Sequence, residues 1–585
     1  MEIKLYKDYN PREPINNIEL YDALNQLWKK IDDFFDFDKK GFFYEPETQS
    51  VNKHLEENTM AIYLLLDKIE QTTGKLTRQD LLDTIDILLD IWDDNKGINS
   101  KFKYDWSNTE KKTNAVKILE FSLAVIKVGK ITGNKRYLSS LIKIIKYLVK
   151  NYKQKETGKL LSNSTDGIHS WGVVKYTLLL NELYDFFNSL NNIGIYEPEL
   201  SKVIFNKKSD SYLDFRNQLK YESVKYIEEM YRLLGKPGYG FYRNADSYGR
   251  VTKKQVKLYG NSILGISILQ LQFINDDDRD LTRDIDEYLD YILNLTNKLW
   301  DKENGGFYRM IDFTENKKGD ISDTNKNIIS NIMANKLLLE YINLELAKLD
   351  INDFDDVSDK LLQLLHQLDV GVLKLIQYKN FGALNADNEW KNKEKTNNKL
   401  HPIYLLVDLL VNYEQLNEKS KDELSIIRNK ISTYLSNKIF LSHNSKDKDI
   451  IRVINKKIKE NGYTTYFDEN ENPDKLTNKV RDTLISGIKN SGLIIFFVTK
   501  NFSNSVDTSE YIQLEIEEAI KEKERRGNYF QIQVIVDEDV EVPEKLVKFW
   551  RKKESIVFKK GEDYKLDVFS YINKEMPSHI IIRKK

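Results

Sequence analysis

The side chains best suited to chemistry in this sequence lie in its last third, close to the ends of predicted strands. Ser442 and His443 end one apolar run, Asp468 follows the next, and Tyr511 and Glu515 lie on a charged helix further along. Residues four apart share a helix face, so Tyr511 and Glu515 can face one cleft. A carboxylate in a dry cleft stabilises positive charge that develops in a transition state. The spacing therefore allows an acid and an aromatic side chain to act in the same cleft.

The elements that must position these residues follow a regular pattern. From position 438 short apolar strands alternate with charged helices, which is typical of a parallel sheet flanked by helices. We predict strands at 438–442, 463–467, 493–498, 530–536 and near 555–558, helices at 447–461, 479–490, 508–526 and 563–574, and loops at 468–478 and 499–507. In a flavodoxin-like sheet of this kind, ligands bind beyond the carboxyl ends of the strands.

Four motifs in this region resemble those of TIR (Toll/interleukin-1 receptor) domains, and they occur in the order of that family. The motifs are the strand and polar turn at 440–447, the strand end at 466–469 with Pro473 in the following loop, the strand and Ser-rich phrase at 488–505, and the helix start at 509–519. In the last motif Tyr511 stands where the family usually has tryptophan. Glu515 stands at the position of the family's acidic residue.

The resemblance implies an α/β flavodoxin-like TIR domain that cleaves NAD, with Glu515 as the catalytic residue. Nicotinamide leaves NAD as a neutral molecule, so one carboxylate suffices where ordinary glycoside hydrolysis needs two. The products that the resemblance implies are nicotinamide and either ADP-ribose or a cyclic ADP-ribose. The resemblance also implies self-association through TIR domains and a role in defence against bacteriophage. It assigns the binding of NAD, as substrate and not as cofactor, to Phe440, Ser442, His443, Asp468 and Tyr511, beside a mobile loop at 468–478.

The first 416 residues carry a different, repeating pattern. Loops rich in glycine and aromatics recur six times, each between two amphipathic helices. The predicted pairs are 27–37 with 59–69, 81–92 with 115–128, 141–152 with 173–187, 224–234 with 258–273, 285–300 with 328–344, and 361–378 with 402–416. Six such pairs are typical of an all-α (α/α)6 toroid, in which inner helices line a central pit. The loop at 300–308 resembles those of six-hairpin sugar enzymes, including the N-acylglucosamine 2-epimerase group.

These patterns predict two domains, a toroid at 1–416 and a TIR domain at 438–585, joined by a polar helical connector at 417–437. The toroid is predicted to sense an unknown trigger, either a phage component or a small molecule, or to act as a scaffold. A permanently active NAD hydrolase would kill its host, so we expect the toroid to hold the TIR domains apart until the trigger binds.

Composition excludes several other classes of protein. The sequence has no cysteine, which excludes disulfides, thiolate zinc sites and a cysteine nucleophile, and suits the cytoplasm. The sequence has 90 Lys and Arg residues and 91 Asp and Glu residues, which gives a net charge of −1. We therefore expect neither a nucleic-acid nor a membrane partner. The acidic run at 276–278 lacks the spacing of a calcium loop, so no metal is predicted. No apolar run is long enough to span a bilayer.

Other interpretations of the same residues stay open. Glu515 lies among other glutamates of a charged helix, which are commonly solvated. These are Glu510, Glu517, Glu518 and Glu522. The TIR domain could be a non-catalytic module for self-association and signalling. Alternatively the toroid could bind or convert a sugar, with His169 or His401 transferring protons. The TIR domain would then serve as a recruiting domain for the toroid. A shared fold, however, transfers no activity.

Overall fold

The computed structural model describes residues 15, 17–44, 52–71, 74–107, 113–153, 170–189, 198–205, 211–245, 250–273, 283–313, 319–321, 324–348, 358–391, 399–434, 438–460, 463–467, 478–527, 530–537 and 540–550. The chain divides into two compact units, with Pro14–Leu424 in the first and Ser425–Lys585 in the second. The division lies within the stretch 417–437 that the sequence predicts as a connector. The domain boundaries at 416 and 438 stay a prediction.

The first unit is helical. Its helices are α1 Asn17–Phe34, α2 Leu55–Leu65, α3 Arg78–Ile91, α4 Ala115–Thr132, α5 Lys135–Tyr152, α6 Ser170–Ser189, α7 Pro198–Phe205, α8 Tyr212–Leu234, α9 Leu258–Phe273, α10 Arg283–Leu299, α11 Ile328–Lys348, α12 Asp359–Tyr378 and α13 Leu400–Lys419. The helix α14, Lys421–Tyr434, follows and spans the division between the units.

Six helices of the first unit close into a ring. They are α2, α4, α6, α9, α11 and α13, each packed on the next, with α13 returning to α2. The helices α1, α3, α5, α8, α10 and α12 pack on the outside of this ring. The predicted (α/α)6 toroid is therefore confirmed, with every predicted helix pair supplying one outer and one inner helix.

Burial patterns explain which helices are inner. The outer helix α5 buries Leu138, Leu141, Ile145 and Leu148, spaced three or four apart, so a single apolar face points inward. The inner helix α4 buries 12 of its 18 residues, because it has neighbours on all sides. A helix that is apolar around most of its surface can be stable only inside the ring.

Short strands lie in the loops that precede inner helices. They are β1 Asn52–His54, β2 Lys101–Lys103, β3 Gly235–Lys236, β4 Gly240–Ala245, β5 Val251–Lys257, β6 Met310–Asp312, β7 Asp320–Ile321, β8 Lys326–Asn327 and β9 Asn385–Ala386. The strands β3 to β7 form one antiparallel sheet, while β1 pairs with β2 and β8 with β9. The strands β1, β5 and β8 lead directly into the helices α2, α9 and α11, in that order. This β structure therefore lies at the N-terminal ends of these three inner helices.

A buried asparagine fixes the glycine–aromatic loops. Before α2, the Phe42 N–H donates to Asn58 Oδ1 at 2.6 Å, and Asn58 Nδ2 donates to the Phe42 carbonyl at 3.0 Å. Gly41 has a φ of +89°, and a Cβ there would meet the Asn58 amide, so only glycine fits this turn. The same arrangement recurs twice, as Gly240–Phe241 with Asn261 and as Gly306–Phe307 with Asn331.

We expect Asn331→Ala to lower the free energy of unfolding of the toroid by about 2 kcal/mol, because a buried N–H and a buried carbonyl of Phe307 lose their partner. Differential scanning calorimetry of the full chain measures this as a lower melting temperature. Asn151→Ala on the exposed face of α5 is the matched control, since Asn151 bonds only within its own helix turn. Equal melting temperatures for the two variants would contradict the prediction.

The second unit is an α/β layer structure. Its elements are β10 Lys438–Ser442, α15 Lys448–Glu460, β11 Thr464–Tyr466, α16 Asn478–Lys489, β12 Leu493–Val498, α17 Lys500–Ser505, α18 Glu510–Arg526, β13 Gln531–Val536 and α19 Glu544–Val547. The four strands form a parallel sheet in the order β11-β10-β12-β13. This confirms the predicted flavodoxin-like arrangement, in which the first strand lies between the second and the third.

Alternate residues of the strands enter two separate cores. Ile439, Leu441 and Ile495 pack with α15 on one face of the sheet. Phe440 and Phe496 pack with α16 and α18 on the other face. Both faces are therefore covered, which explains why β12 is apolar throughout.

One predicted loop of this unit is wrong. The stretch 499–507 contains the helix α17, because the Thr499 side chain accepts a hydrogen bond from the Phe502 N–H and caps the helix start, while Phe502 is buried. The predicted strand near 555–558, the helix at 563–574 and the loop at 468–477 lie outside the described residues. Within the described part of the chain, every helix is too short or too polar to cross a membrane.

Candidate functional site

A cleft lies at the carboxyl end of the parallel sheet, between the end of β10, the strand β11 and the first turns of α18. Its lining includes four of the side chains that the sequence singles out: Phe440, His443, Tyr511 and Glu515. Ser442 lies directly behind the lining and contacts Glu515. Asp468 lies outside the described residues. The fold thus brings together five of the six predicted residues from two distant parts of the chain.

Glu515 is held in place by its helix and by one hydroxyl. The helix α18 begins at a capping residue, Ser509, and its apolar face is buried in the core. Only 9% of Glu515 is exposed, and Ser442 Oγ donates a hydrogen bond to Glu515 Oε2 at 2.5 Å. A buried carboxylate is costly unless it accepts hydrogen bonds. The Ser442 hydroxyl therefore both stabilises the carboxylate and fixes its orientation at the cleft wall.

The other glutamates of α18 have different surroundings. Glu518 and Glu522 are also buried, but they pair with Lys521 at 2.7 Å and with Arg525 at 2.7 Å. Glu510 and Glu517 are exposed, as expected for a solvated charged helix. Among the described glutamates of this helix, Glu515 alone lines the cleft. A solvated surface role therefore suits Glu510 and Glu517 and does not suit Glu515.

Aromatic side chains form the walls of the cleft. Phe440 stacks on Tyr466 with ring centres 4.8 Å apart and planes inclined by 7°. His443 stacks on Phe467 at 5.0 Å, and its Nδ1 lies 3.1 Å from the Leu441 carbonyl, which places a proton on Nδ1. Tyr511 is half-buried against the same core. Phe440 itself is only 1% exposed, so it is the partly exposed rings of His443, Tyr466 and Tyr511 that suit the rings of a nucleotide.

Sequence reasoning missed several residues of this cleft. Tyr466 and Lys448 line it, and Phe467 supports His443 through the stacked rings. Lys448 is the first residue of α15, so the N-terminal end of this helix lies at the cleft. Backbone N–H groups at a helix start favour anions. The signal was present in the sequence, because a helix that starts just after a strand end brings its first turn to the site.

A polar network fixes the turn that follows β10. Asn444 Nδ2 donates to the Asn501 carbonyl at 3.2 Å and to Ser505 Oγ at 3.0 Å. Asp447 accepts hydrogen bonds from the side chains of Thr499 and Asn501. The helix α17, which the sequence did not predict, therefore anchors the turn that carries His443.

In the described parts of the chain, no group of three or more acidic or histidine side chains is arranged to hold a metal ion. Of the two histidines of the sugar-enzyme alternative, His169 lies outside the described residues. His401 lies in the first turn of the inner helix α13, with its ring stacked on that of Tyr404.

Comparisons with known proteins agree with this architecture. Residues 439–570 match the TIR domain family, so the second unit contains a TIR domain. The first two thirds resemble a sugar epimerase from a ruminal bacterium, at 12% identity and a TM-score of 0.50, over 68% of this chain and 97% of that one. They also resemble a D-mannose isomerase, at 10% identity and a TM-score of 0.51, over 68% and 98%. Identities this low show a shared toroid fold alone. No curated protein sequence matches the chain significantly.

Proposed function

We propose that the TIR domain of this chain cleaves the bond between nicotinamide and ribose in NAD, with Glu515 as the catalytic carboxylate. The observation that carries this proposal is the position of Glu515, buried at the strand ends, oriented by Ser442 and facing an aromatic cleft. The TIR domain family includes NAD-cleaving members, which supports the assignment.

The proposed chemistry needs a single acidic group. The bond between C1′ and the pyridinium nitrogen breaks with its electron pair going to nicotinamide, which leaves as a neutral molecule, so no acid has to protonate it. Positive charge then develops on the ribose, and the Glu515 carboxylate stabilises it from within the cleft. Water adds to C1′ and loses a proton to give ADP-ribose. If a ring nitrogen of the adenine reaches C1′ first, the product is cyclic.

The remaining residues of the cleft are assigned to binding. His443 and Tyr511 supply surfaces for the rings of NAD, while Phe440, which is only 1% exposed, supports the cleft wall from the core. Lys448 with the N-terminus of α15 suits the diphosphate of NAD. Asp468 keeps its proposed role by resemblance to the family alone. NAD is the substrate in this scheme, and the proposed reaction uses no cofactor.

The direct test is to incubate the purified full chain with NAD and to identify the products by chromatography and mass spectrometry. Nicotinamide together with ADP-ribose or its cyclic form supports the proposal. Complete recovery of NAD over a range of protein concentrations that includes assembled protein would contradict it, and would favour the non-catalytic module for self-association.

We further propose that assembly regulates this activity. In this scheme TIR domains associate, a trigger acts on the toroid, and NAD loss in the cytoplasm protects a population of cells from phage. The reasoning is that a permanently active enzyme would harm its host. A specific activity that rises with protein concentration would support control by assembly, whereas a constant specific activity at all concentrations would argue against it.

Ser442→Ala is expected to lower kcat for NAD about tenfold with a smaller change in KM, because the hydrogen bond that orients Glu515 is worth roughly 1–1.5 kcal/mol. Steady-state kinetics of nicotinamide release measures both constants. Ser486→Ala on the exposed face of α16 is the control and should match the wild type. If Ser442→Ala raises only KM and leaves kcat unchanged, Ser442 acts in substrate binding and does not position Glu515.

A further inference from the structure

One ring of the TIR cleft has no assigned role in the proposed reaction. Tyr466 is the last residue of β11, lines the cleft together with Glu515, and is partly exposed. Its backbone pairs with that of Phe440 on β10, and the two rings stack with their centres 4.8 Å apart. Within the described part of the sheet, β11 is an edge strand with β10 as its one neighbour. The packing around the Tyr466 ring therefore helps to decide where the ring lies.

A glycine in the neighbouring helix makes room for this ring. A Cβ atom at Gly487 on α16 would lie 2.9 Å from Tyr466 Cε2, 3.0 Å from Tyr466 Cδ2 and 3.1 Å from Phe440 Cε2. Carbon atoms in ordinary contact are about 3.5–4.0 Å apart. Even alanine at position 487 would therefore displace one of the two rings.

The helix itself does not require this glycine. Gly487 lies within α16, and its φ is outside the left-handed region that favours glycine. Within a helix glycine is less favourable than alanine. The close approach of the two rings, and not the backbone geometry, is therefore what favours glycine at this position.

A displaced Tyr466 ring would change the cleft. Phe440 is 1% exposed and belongs to the core, so it leaves the ring no space on that side. The helix α16 is fixed as well, because its Leu484 and Ile488 lie in the same core as Ile516 of α18. The open sides of the ring border the cleft and a groove that Tyr466 forms with the outer face of α16. A methyl group at position 487 would therefore move Tyr466 away from its present place in the cleft wall.

The cleft is small, which indicates the part of NAD that it holds. Its volume is about 60 Å³, roughly the space of four to six water molecules, whereas sites for drug-sized ligands measure roughly 300–1,000 Å³. A space of this size accepts one end of a dinucleotide. In the proposed reaction Glu515 lies beside C1′ of the ribose, and nicotinamide is bonded to that atom. The nicotinamide end therefore shares the cleft with Glu515 and Tyr466.

We propose that Tyr466 contacts the nicotinamide ring of NAD and that Gly487 positions Tyr466 for this contact. Two flat rings pack favourably against each other, so an aromatic wall suits the pyridine ring. The ligand and the place of C1′ beside Glu515 rest on the proposed function. The contact between Gly487 and Tyr466 is a property of the fold, and Gly487 acts on the ligand only through the Tyr466 ring.

Calorimetric titration of the full chain that carries Glu515→Gln measures the affinity for NAD with little turnover. In this parent chain, Tyr466→Ala and Gly487→Ala should each raise the Kd for NAD roughly two- to tenfold, which is the usual worth of an aromatic contact. ADP-ribose, which has a hydroxyl group in place of nicotinamide, should bind the parent and both variants equally. An equal rise in the Kd for ADP-ribose would place Tyr466 beside another part of the ligand and overturn the proposal.

A double variant separates an effect on the ring from an effect on the helix. With Tyr466→Ala in place, the methyl group of Gly487→Ala has room, so the second change should leave the Kd for NAD where the first change set it. A further rise by the same factor would show that position 487 acts through α16 and would overturn its positioning role. The change in melting temperature on Gly487→Ala should also be more favourable in the Tyr466→Ala chain than in the parent. An equal change in both chains would contradict the clash with the ring.

Two control variants accompany these measurements. Tyr466→Phe keeps the ring, and Ser486→Ala removes only a hydroxyl group on the exposed face of α16. Both should bind NAD like the parent chain. A Kd for Tyr466→Phe as high as that for Tyr466→Ala would assign the effect to the hydroxyl group and overturn the ring contact.

The measurements also distinguish this contact from NAD cleavage. An unchanged affinity for NAD in both alanine variants overturns the contact even if the wild type releases nicotinamide, and so does a parent chain that fails to bind NAD at millimolar concentration. The expected losses of affinity support the contact even if the wild type leaves NAD intact.

Discussion

Glu515→Gln is expected to lower the kcat for NAD cleavage roughly a thousandfold, since it removes the charge that stabilises the ribose cation and keeps the shape of the side chain. The amide can still accept the Ser442 hydrogen bond, so the melting temperature of the variant should stay close to that of the wild type. Nicotinamide release at saturating NAD measures the effect. A KM that changes little would show that the carboxylate acts on the transition state.

The control for this prediction lies on the same helix. Glu517→Gln changes an exposed glutamate whose partner, Lys545, is also exposed, so its activity should equal that of the wild type. Nicotinamide release by Glu515→Gln within tenfold of the Glu517→Gln rate would exclude Glu515 as the catalytic group. It would leave the cleft as a binding surface only.

Asp408→Asn is expected to lower the free energy of unfolding of the toroid by about 3 kcal/mol at neutral pH, because two lysines lose the charge that compensates their partial burial. Burial alone would raise the pKa of Asp408, but Lys336 and Lys68 outweigh it and hold the pKa below its ordinary value. Calorimetry of the full chain should show the loss as a lower melting temperature.

The free energy of unfolding that Asp408→Asn loses should depend on pH in one direction. A carboxyl group with a lowered pKa stabilises the fold above its unfolded pKa, and this contribution disappears as the pH falls through the folded value. The difference between the wild type and Asp408→Asn should therefore be largest near pH 7 and shrink below the ordinary value of 3.8. A difference that grows in acid would contradict the ion-pair explanation.

Asp67→Asn provides the matched control. Asp67 contacts the same lysine, Lys68, and also Lys127 at 2.6 Å, but it is 41% exposed, and exposed ion pairs contribute roughly 0–1 kcal/mol each. The control should therefore melt close to the wild type. An equal decrease in melting temperature in both variants would show that the burial of Asp408 adds nothing to the stability of the ring.

Local sequence patterns predicted the elements of the fold well where one face is apolar. The strands at 438–442 and 493–498 are found at their predicted bounds, because unbroken apolar runs mark buried strands. The start of α1 was missed by ten residues, at Asn17 instead of 27. Its first turns bury Leu20, Ala23 and Leu24, but the exposed Ile18 and Tyr21 obscure this apolar face in the sequence. The helix α17 was missed because its formation depends on one cap and one buried ring.

The candidate cleft could be predicted in part. The four-residue spacing of Tyr511 and Glu515 placed both on one helix face, and both line the cleft. The motif at 509–519 singled out Glu515 by resemblance, but no local pattern showed that Glu518 and Glu522 are buried against basic partners. In the structure, Glu515 differs from both by its place in the cleft and by its contact with Ser442, 73 residues away in the chain.

The sequence by itself determined the two architectures and the helix face that carries Glu515, because periodicity and apolar runs are local properties of the chain. The tertiary structure alone decided which charged side chains are enclosed. Closure of the ring brings Glu57, Glu120 and Lys175 together from three helices, and folding of the sheet seats Glu515 beside Ser442. Burial depends on neighbours that are distant in sequence, so no local pattern records it.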